Sequence, residues 1–250
     1  MQLKISAVSD KGCVRDHNED MILIGDHIFR DNSEQIEIDI GNVKKYIIAI
    51  ADGMGGHNAG EIASDIVLKK MAEKFNTLDM KLSELEIKQV ITGWAKEIHN
   101  FMLNEGNNDL TKKGMGSTFI GVLFYEDKAF YMNVGDSRLY RFRRGNLMQI
   151  SKDHSLSEVI GNKVIDSSLL INSFGGGEKF FIDFAPIGGK VLNEDILIVC
   201  SDGLTKMVPD DEIEQILTGE TPIDKLLLKA KDNGGEDNIS IIIATIYREE

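Results

Sequence analysis

The sequence has few of the residues that cross-link, divide or interrupt a chain. Its 250 residues include 2 cysteines and 3 prolines. Two cysteines do not make a disulfide framework, and Cys200 lies in an apolar segment, where a buried structural thiol is expected rather than a nucleophile. No proline-rich linker, repeat or low-complexity tract divides the chain. We therefore expect one domain over residues 1–250, long enough to bury a sizeable core.

Long apolar runs are also absent from the sequence. No stretch approaches the roughly 20 apolar residues that a membrane-spanning helix needs. The N-terminus, Met1 to Ser6, lacks the apolar core of a secretory signal peptide. The expected location is the cytoplasm, without a membrane partner.

Basic residues are in deficit. The chain has 28 Lys and Arg against 41 Asp and Glu, a formal net charge of −13. Nucleic-acid backbones and anionic membranes bind positive surfaces, so neither is expected as a partner. Part of the acidic excess is expected at a metal site, where bound cations would offset it, and the rest is expected on the solvated surface.

Common motifs of nucleotide and ester chemistry are missing or incomplete. Gly53-Met54-Gly55-Gly56 follows an apolar strand and precedes a helix, as a dinucleotide-binding turn does, but Asn58 stands at the third glycine position. No G-x-x-x-x-G-K-[ST] occurs, so the chain has no P-loop. Ser137 and Ser201 lie beside acids without a nearby base or a nucleophile elbow, which argues against a serine hydrolase.

Apolar patterning predicts strands that cluster in hairpins and helices that form separate blocks. Strands are predicted over residues 3–8, 21–24, 46–51, 118–124, 129–134, 138–142, 147–150, 196–200 and 239–246. Helices are predicted from residue 59 onward and over 83–103, 155–160, 210–217 and 222–231. This arrangement favours an α+β fold of layered, mainly antiparallel sheets over a doubly wound parallel sheet. Residues 30–45 are expected to form a hairpin or loop.

Two predicted helices begin with capping signals. Ser83 with Glu86 fits a capping box, and Thr221 before Pro222 fits an N-cap followed by proline at the first helical position. The apolar stripes of the first two long helices are expected to face the core. For the second of these helices the predicted stripe is Ile87, Ile91, Trp94, Ile98 and Phe101.

Four aspartates lie at the ends of predicted strands or in a tight turn between them: Asp52, Asp136, Asp202 and Asp237. One aspartate at such a position is usually a turn former or a cap. Four carboxylates gathered by a fold repel one another unless they are protonated or bridged by cations. Oxygen ligands without a histidine or cysteine cluster indicate Mg²⁺ or Mn²⁺ rather than zinc or copper. Two such ions would lower the pKa of a bound water and polarise a phosphoryl oxygen.

The loop before the second predicted strand is dense in functional side chains. Arg15 offers a planar fork for phosphate oxygens. Asn18, Glu19 and Asp20 are placed to orient metal-bound waters from a second layer. This chemistry predicts metal-assisted hydrolysis of a phosphate ester.

Seven short motifs occur in a fixed order from about residue 5 to residue 246. They are Arg15-Asp16-His17-Asn18-Glu19-Asp20, Asp52-Gly53-Met54-Gly55-Gly56-His57, Gly116-Ser117-Thr118, Val134-Gly135-Asp136-Ser137-Arg138, Asp153-His154-Ser155, Ser201-Asp202-Gly203 and Glu236-Asp237-Asn238. Together they resemble the metal-dependent protein serine/threonine phosphatases of the PP2C type, in their bacterial form. The resemblance implies an α-β-β-α sandwich of two central, mainly antiparallel sheets flanked by helix pairs.

The resemblance also implies a metal site. Asp52 would bridge two metal ions, and Gly53 would bind one of them through its carbonyl oxygen. Asp202 and Asp237 would complete the shell of the first ion. Asp136, with Asp202, would hold a third and weaker ion. The implied cofactors are therefore two Mg²⁺ or Mn²⁺ ions, with a third at this weaker site.

Catalytic roles follow from the same resemblance. Asp52 and Asp237 would act through the metals, Arg15 would bind the substrate phosphate, and Glu19 and Asn238 would act through water. A water or hydroxide bridging the ions would attack phosphorus in line, without a phosphoenzyme intermediate.

The sequence departs from the family pattern at two places. Some members carry histidine directly after Asp-Gly as a proposed general acid, but here that position is Met54, and His57 follows three residues later. The flap-like segment, about residues 155–185, is short and lacks the usual arginine.

The predicted activity is hydrolysis of phosphoserine and phosphothreonine in proteins by a monomer that opposes a bacterial serine/threonine kinase. One alternative is a phosphoprotein-binding pseudophosphatase of the same fold. The retained Asp52, Asp202 and Asp237 argue against it, because a binding module has little need of mutually repelling acids. A two-metal phosphodiesterase is the other alternative; the acidic composition disfavours nucleic acid but not small diesters.

Overall fold

The predicted strands and helices assemble into two sheets, each covered on its outer face by helices. The structure is a computed structural model that describes residues 1–55, 59–161, 169–177, 179–188 and 191–248. His57 lies outside the described residues, as do parts of the predicted flap.

The boundaries of most elements agree with the predicted blocks. The strands are β1 (Gln2–Asp10), β2 (Asp20–Ile24), β3 (His27–Phe29), β4 (Ser33–Asp39), β5 (Lys45–Met54), β6 (Gly116–Ser117), β7 (Phe119–Tyr125), β8 (Lys128–Val134), β9 (Arg138–Arg143), β10 (Asn146–Gln149), β11 (Asp183–Pro186), β12 (Ile196–Cys200) and β13 (Ile239–Tyr247). The helices are α1 (Ile40–Val43), α2 (Ala59–Asn76), α3 (Glu84–Asn108), α4 (Leu156–Ile160), α5 (Asp202–Thr205), α6 (Asp210–Leu217) and α7 (Pro222–Asp232).

Every strand pair among the described residues is antiparallel. One sheet has the order β10-β9-β12-β13-β1-β4, and the other has the order β11-β8-β7-β5-β2-β3 with β6 paired to β5. The sequence did not individually predict four strands: β3, β4 and β11 lie at sheet edges, and β6 is a two-residue strand paired to β5. Edge strands bury less than central ones, so their apolar signal is weaker: β4 has no fully buried residue.

Three apolar cores separate four layers. Helices α2 and α3 pack on the second sheet, the two sheets pack on each other, and α6 and α7 pack on the first sheet. Strand β5 shows why its sequence is apolar without alternation. Ile47 and Ala49 face the α2/α3 core, whereas Ile48 and Ile50 face the core between the sheets. The fold is therefore α+β, with the predicted α-β-β-α layering.

The long helix α3 differs from expectation at one position. The capping box at Ser83 and Glu86 is confirmed, but Phe101 does not join the core stripe: it is 37% exposed beneath the Lys70 ammonium. Met102 is buried instead, because a 3.6-residue turn brings it closer to the line of Ile91 and Ile98.

The predicted cap of α7 is partly wrong. Pro222 occupies the first turn, but Thr221 is left-handed (φ 46°) and its side chain makes no capping hydrogen bond. The left-handed backbone of Thr221 replaces the extended backbone from which an N-cap side chain usually reaches the first turn. Within the described residues, no helix is long and apolar enough to cross a membrane.

Candidate metal centre

The four strand-end aspartates lie around one cleft. Asp52 is near the end of β5, Asp136 is in the turn between β8 and β9, Asp202 begins α5, and Asp237 lies just before β13. The cleft has a volume of about 260 Å³ and is lined by Arg15, Glu19, Asp52, Gly53, Met54, Gly55, Thr118, Asp136, Leu170, Asp202, Asp237 and Asn238. The fold thus gathers carboxylates that lie up to 185 residues apart in sequence, from Asp52 to Asp237.

A larger hollow lies at another part of the surface. It has a volume of about 780 Å³ beside Met1, Lys44 and Arg248. Its lining has acidic and basic side chains but no cluster of carboxylates like that of the smaller cleft. Carboxylate chemistry, rather than size, identifies the candidate site.

Close backbone packing explains why glycine follows two of the aspartates. A Cβ atom at Gly53 would lie 2.0 Å from the carbonyl oxygen of Gly60. A Cβ atom at Gly203 would lie 2.0 Å from the carbonyl oxygen of Asn238. Both distances are far inside van der Waals contact. The two Asp-Gly pairs therefore bring their carboxylates to positions where the backbones of neighbouring segments touch.

Asp52 and Asp20 face each other across two paired strands. They are direct partners in the register of β2 and β5. Burial raises the pKa of Asp20 to about 7, although the Ser201 hydroxyl donates a hydrogen bond of 2.7 Å to it. Burial, followed by repulsion from Asp20 and Asp202, raises the pKa of Asp52 well above its ordinary value. Both shifts come mainly from burial, which disfavours the charged form of a carboxyl group.

Two further acids in the cleft have raised pKa values. Burial, reinforced by the charge of Asp202, raises the pKa of Asp136 to about 7. Burial also raises the pKa of Glu19, against the opposing effect of Arg15. Proton uptake and cation binding are alternative ways to relieve this repulsion, so bound cations would favour the charged carboxylates.

Side-chain cations already neutralise the other two aspartates. Lys206 Nζ lies 2.5 Å from Asp202 Oδ2 and 3.9 Å from Asp237 Oδ2. Arg15 forms a fork with Asp237, with Nε–Oδ1 and Nη2–Oδ2 distances of 3.0 Å each. Burial opposes the charge on Lys206, but the surrounding acids, led by Asp202, raise its pKa overall. These basic groups therefore balance negative charge that a divalent ion would otherwise balance.

The donor set fits Mg²⁺ or Mn²⁺ chemically. The cleft offers carboxylate oxygens, and Asp202 Oδ1 is a buried acceptor without a hydrogen-bond partner. Hard cations of this kind prefer such oxygen ligands. In the described part of the chain, no three acidic, histidine or cysteine side chains already have the spacing of a metal cage. Ion binding would therefore accompany a rearrangement of the contacts that Lys206 and Arg15 make.

Asn238 ties the Arg15 loop to the end of the site. Its Oδ1 accepts a 2.8 Å hydrogen bond from the Glu19 backbone N–H. Its Nδ2 donates to the carbonyl oxygens of Lys11 and His17, at 2.9 Å each. This amide therefore holds the loop in shape, and its action through water stays a prediction. Glu19 lines the same cleft.

Two hydroxyl groups connect Asp52 to the turn of Asp136, and sequence reasoning assigned them no role. Thr118 Oγ1 accepts a 3.2 Å hydrogen bond from the Asp52 N–H and lies 2.8 Å from Ser137 Oγ. Thr118 belongs to the Gly116-Ser117-Thr118 motif, but the neighbouring sequence does not indicate which strand its hydroxyl group contacts.

His154 also supports the turn of Asp136. Its Nδ1 accepts hydrogen bonds from the Gly135 N–H (3.1 Å) and from Asn172 Nδ2 (2.8 Å). Since Nδ1 accepts, Nε2 carries the proton and donates to Asp183 Oδ2 at 3.3 Å. Burial lowers the pKa of His154 despite Asp183, consistent with a neutral ring. The flap-like segment thereby contacts the backbone next to Asp136.

Lys206 was also missed from the sequence, although a signal for it exists. It follows Asp202 by four residues, a spacing that brings side chains together on a helix. The short helix α5 was not predicted, so this four-residue spacing could not be interpreted as a helical side-chain pair. Arg15, Glu19 and the four aspartates, by contrast, are all brought to the cleft as their motifs suggested.

Comparison with known proteins assigns the chain to a family. The model for the protein phosphatase 2C family matches residues 31–221. A serine/threonine phosphatase, stp, of Listeria monocytogenes is 29% identical over 249 residues, covering 94% of this chain and 92% of the relative. The chain therefore belongs to the protein phosphatase 2C family.

Solved structures agree with this assignment. The serine/threonine phosphatase of S. agalactiae superposes with a TM-score of 0.83 at 27% identity, covering 99% of this chain and 100% of that one. The catalytic domain of the serine/threonine phosphatase PstP, solved in complex with two manganese ions, superposes with a TM-score of 0.76 at 25% identity, covering 99% of both chains. Within the family, this protein is a protein serine/threonine phosphatase.

Proposed function

We propose that this phosphatase is metal-dependent and removes phosphate from phosphoserine and phosphothreonine in proteins by direct hydrolysis. The observation that carries the proposal is the oxygen-only cleft, in which buried acids repel one another. Asp52, Asp202 and Asp237, with the carbonyl oxygen of Gly53, would hold two Mg²⁺ or Mn²⁺ ions. Asp136 and Asp202 would share a third. The PstP structure with two manganese ions supports a pair of ions.

The chain's own residues would prepare the site and orient the substrate. When bound, the ions supply Lewis acidity toward phosphoryl oxygens and lower the pKa of the attacking water. Ion binding would favour the ionised forms of Asp52 and Asp136, because protonated carboxyl groups are poor ligands. Arg15 is exposed at the rim and presents its guanidinium fork to Asp237. A substrate phosphate would take the place of this carboxylate as the partner of Arg15.

The alternatives predict different activities. A pseudophosphatase would bind phosphoproteins without hydrolysing them, and a two-metal phosphodiesterase would act on diesters. Thr118, Ser137 and Asn238 hold the acid-bearing segments through specific hydrogen bonds. Acids that repel one another destabilise the folded protein, so a fold that holds them together favours a catalytic site over a binding surface.

One assay tests the proposal against both alternatives. Hydrolysis of p-nitrophenyl phosphate, a phosphothreonine peptide and a phosphodiester is measured with Mn²⁺, with EDTA, and in Asp237→Asn. We expect hydrolysis of both monoesters with Mn²⁺, and its loss with EDTA or in the variant. Asp232→Asn is the matched control, because Asp232 is exposed at the end of α7 and should keep full activity. Activity that survives chelation would overturn metal dependence, and activity on the diester alone would favour the phosphodiesterase.

The broader setting is also a proposal. We infer a single domain over residues 1–250 with a flap at about residues 155–185. Leu170 lines the cleft, and Phe174 pairs with Ser117 beside it, which supports a flap next to the site. The expected opponent is a bacterial serine/threonine kinase, and the expected form is a cytoplasmic monomer. His57 lies outside the described residues, and no role is proposed for it.

A further inference from the structure

Lys206 places a positive charge within the carboxylate cluster. Its Nζ lies 2.5 Å from Asp202 Oδ2 and 3.9 Å from Asp237 Oδ2. Its side chain is 37% exposed, and these two distances place the ammonium beside the acids.

Backbone geometry keeps Lys206 at this position. Its N–H donates a 2.8 Å hydrogen bond to the carbonyl oxygen of Asp202 at the end of α5. The lysine therefore stands one helical turn after the aspartate, where side chains four residues apart meet. Because the two groups are joined by this turn, the ammonium competes for Asp202 at a high local concentration that does not depend on solution conditions.

The two carboxylate oxygens of Asp202 have different surroundings. Oδ2 is paired with Lys206, whereas Oδ1 is buried and has no hydrogen-bond partner. Asp136 and Asp202 line the same cleft. A divalent ion shared by Asp136 and Asp202 would therefore sit near the ammonium, and like charges a few ångströms apart repel strongly in a partly buried site.

We propose that Lys206 is a built-in counter-ion that weakens, by direct competition, the divalent-ion site shared by Asp136 and Asp202. The inference rests on the proposed metal-dependent function. It concerns this third ion, and Asp52, the proposed bridge between the paired ions, is not among the carboxylates with which Lys206 forms an ion pair in the described residues. The chain would thus work as a two-ion enzyme under conditions in which the same chain without Lys206 would hold three ions.

Mn²⁺ binding to the whole protein tests the proposal without relying on activity. Isothermal titration calorimetry, with bound Mn²⁺ counted by electron paramagnetic resonance, is applied to wild type, Lys206→Met and Lys206→Arg. Methionine keeps the length of the side chain but removes its charge. We expect the weakest site to bind about tenfold more tightly in Lys206→Met, the effect of removing one nearby charge. Lys206→Arg should behave as wild type.

Two further variants locate the effect. Lys229→Met removes the same charge from α7, where Lys229 pairs with Glu212 at 2.9 Å and is 38% exposed, and it should leave Mn²⁺ binding unchanged. Asp136→Asn added to Lys206→Met should abolish the tightened site. In EDTA, Lys206→Met should melt below wild type, because the acids lose their counter-ion. Should this variant fold poorly, Lys206→Gln provides the same loss of charge in a polar side chain.

The outcomes separate this proposal from the proposed function. Unchanged affinities in Lys206→Met, or an equal gain in Lys229→Met, would overturn the counter-ion role while hydrolysis by wild type still supported the enzyme. A tightened site in Lys206→Met together with a wild type that hydrolyses no phosphomonoester would support the counter-ion role and overturn the proposed function. A tightened site that persists after Asp136→Asn would place the competition elsewhere and contradict the proposal.

Discussion

At the scale of single residues, Arg15 is the side chain that we expect to bind the substrate phosphate. Its fork grips Asp237, the same chemistry by which a guanidinium grips a phosphate. Arg15→Ala should raise the KM for a phosphothreonine peptide by about 10- to 100-fold, since a hydrogen-bonded charge contact of roughly 1.5–3 kcal/mol is lost. Arg15→Lys, which keeps the charge but loses the fork, should have an intermediate KM. A KM in Arg15→Ala equal to that of wild type would remove Arg15 from phosphate binding.

The buried acids make a second prediction at this scale. Asp20 and Asp136 have pKa values of about 7 in the folded, metal-free protein, above those of an unfolded chain. Between about pH 4 and pH 7 the folded protein therefore holds protons that the unfolded chain has released. Their stabilising contribution is full below the unfolded pKa and is lost as the pH rises through 7.

Melting temperatures in EDTA measure this dependence. Wild type should lose stability between pH 5.5 and pH 8.0 through these groups, and Asp136→Asn should lose less, because an amide does not titrate. Comparing the two proteins cancels the contributions of the many ordinary carboxylates. An identical pH dependence in wild type and Asp136→Asn would contradict a raised pKa for Asp136.

At the scale of elements, the contact between α5 and β13 positions two of the acids. A Cβ at Gly203 would lie 2.0 Å from the carbonyl oxygen of Asn238. Gly203→Ala must therefore separate the start of α5 from the start of β13, and we expect a loss of about 3 kcal/mol in unfolding free energy. Mn²⁺ affinity should fall as well, because Asp202 and Asp237 lie beside this contact.

Gly93 in α3 provides the matched control. A Cβ there would meet nothing within 4 Å. Gly93→Ala should stabilise the protein by about 0.5–1 kcal/mol, since alanine has less freedom to lose in a helix. Chemical denaturation of both variants measures the difference. Equal stabilities for the two alanine variants would mean that α5 and β13 tolerate separation.

At the scale of the whole molecule, the site joins the two sheets. Asp52 belongs to the sheet that packs on α2 and α3, whereas Asp202 and Asp237 flank strands of the other sheet. Ions that bind both sets should therefore stabilise the entire sandwich and not one sheet alone. At 100 times the dissociation constant, each site should add about 2.7 kcal/mol, which raises the melting temperature by about 5–10 °C for a chain of this size.

Thermal unfolding with Mn²⁺ and with EDTA measures this stabilisation. Asp52→Asn serves as the control, because it removes the acid that would bridge two ions and should lose most of the Mn²⁺ effect. Chelation that leaves the melting temperature of wild type unchanged would contradict a site that links the sheets.

Central strands, long helices and the four strand-end aspartates could be predicted from the sequence, because their signals are local. The run from Tyr46 to Ala51 is apolar since β5 is buried on both faces, and an Asp-Gly pair after such a run is visible in one dimension. The edge strands β3, β4 and β11 lacked this signal. Phe101 was wrongly assigned to the core-facing stripe of α3, because apolar spacing locates the buried face of a helix only to within part of a turn.

The sequence by itself determined the layered α+β class, the family and the residue types of the site. Only the tertiary structure decided which charges meet. Asp20 stands opposite Asp52 because β2 pairs with β5 in one register, and Arg15 reaches Asp237 across 222 positions of sequence. Such contacts depend on the order and register of strands, which local patterns leave open. Lys206 shows both kinds of contact: its spacing from Asp202 is local, but its approach to Asp237 follows from how β12, α5 and β13 pack together.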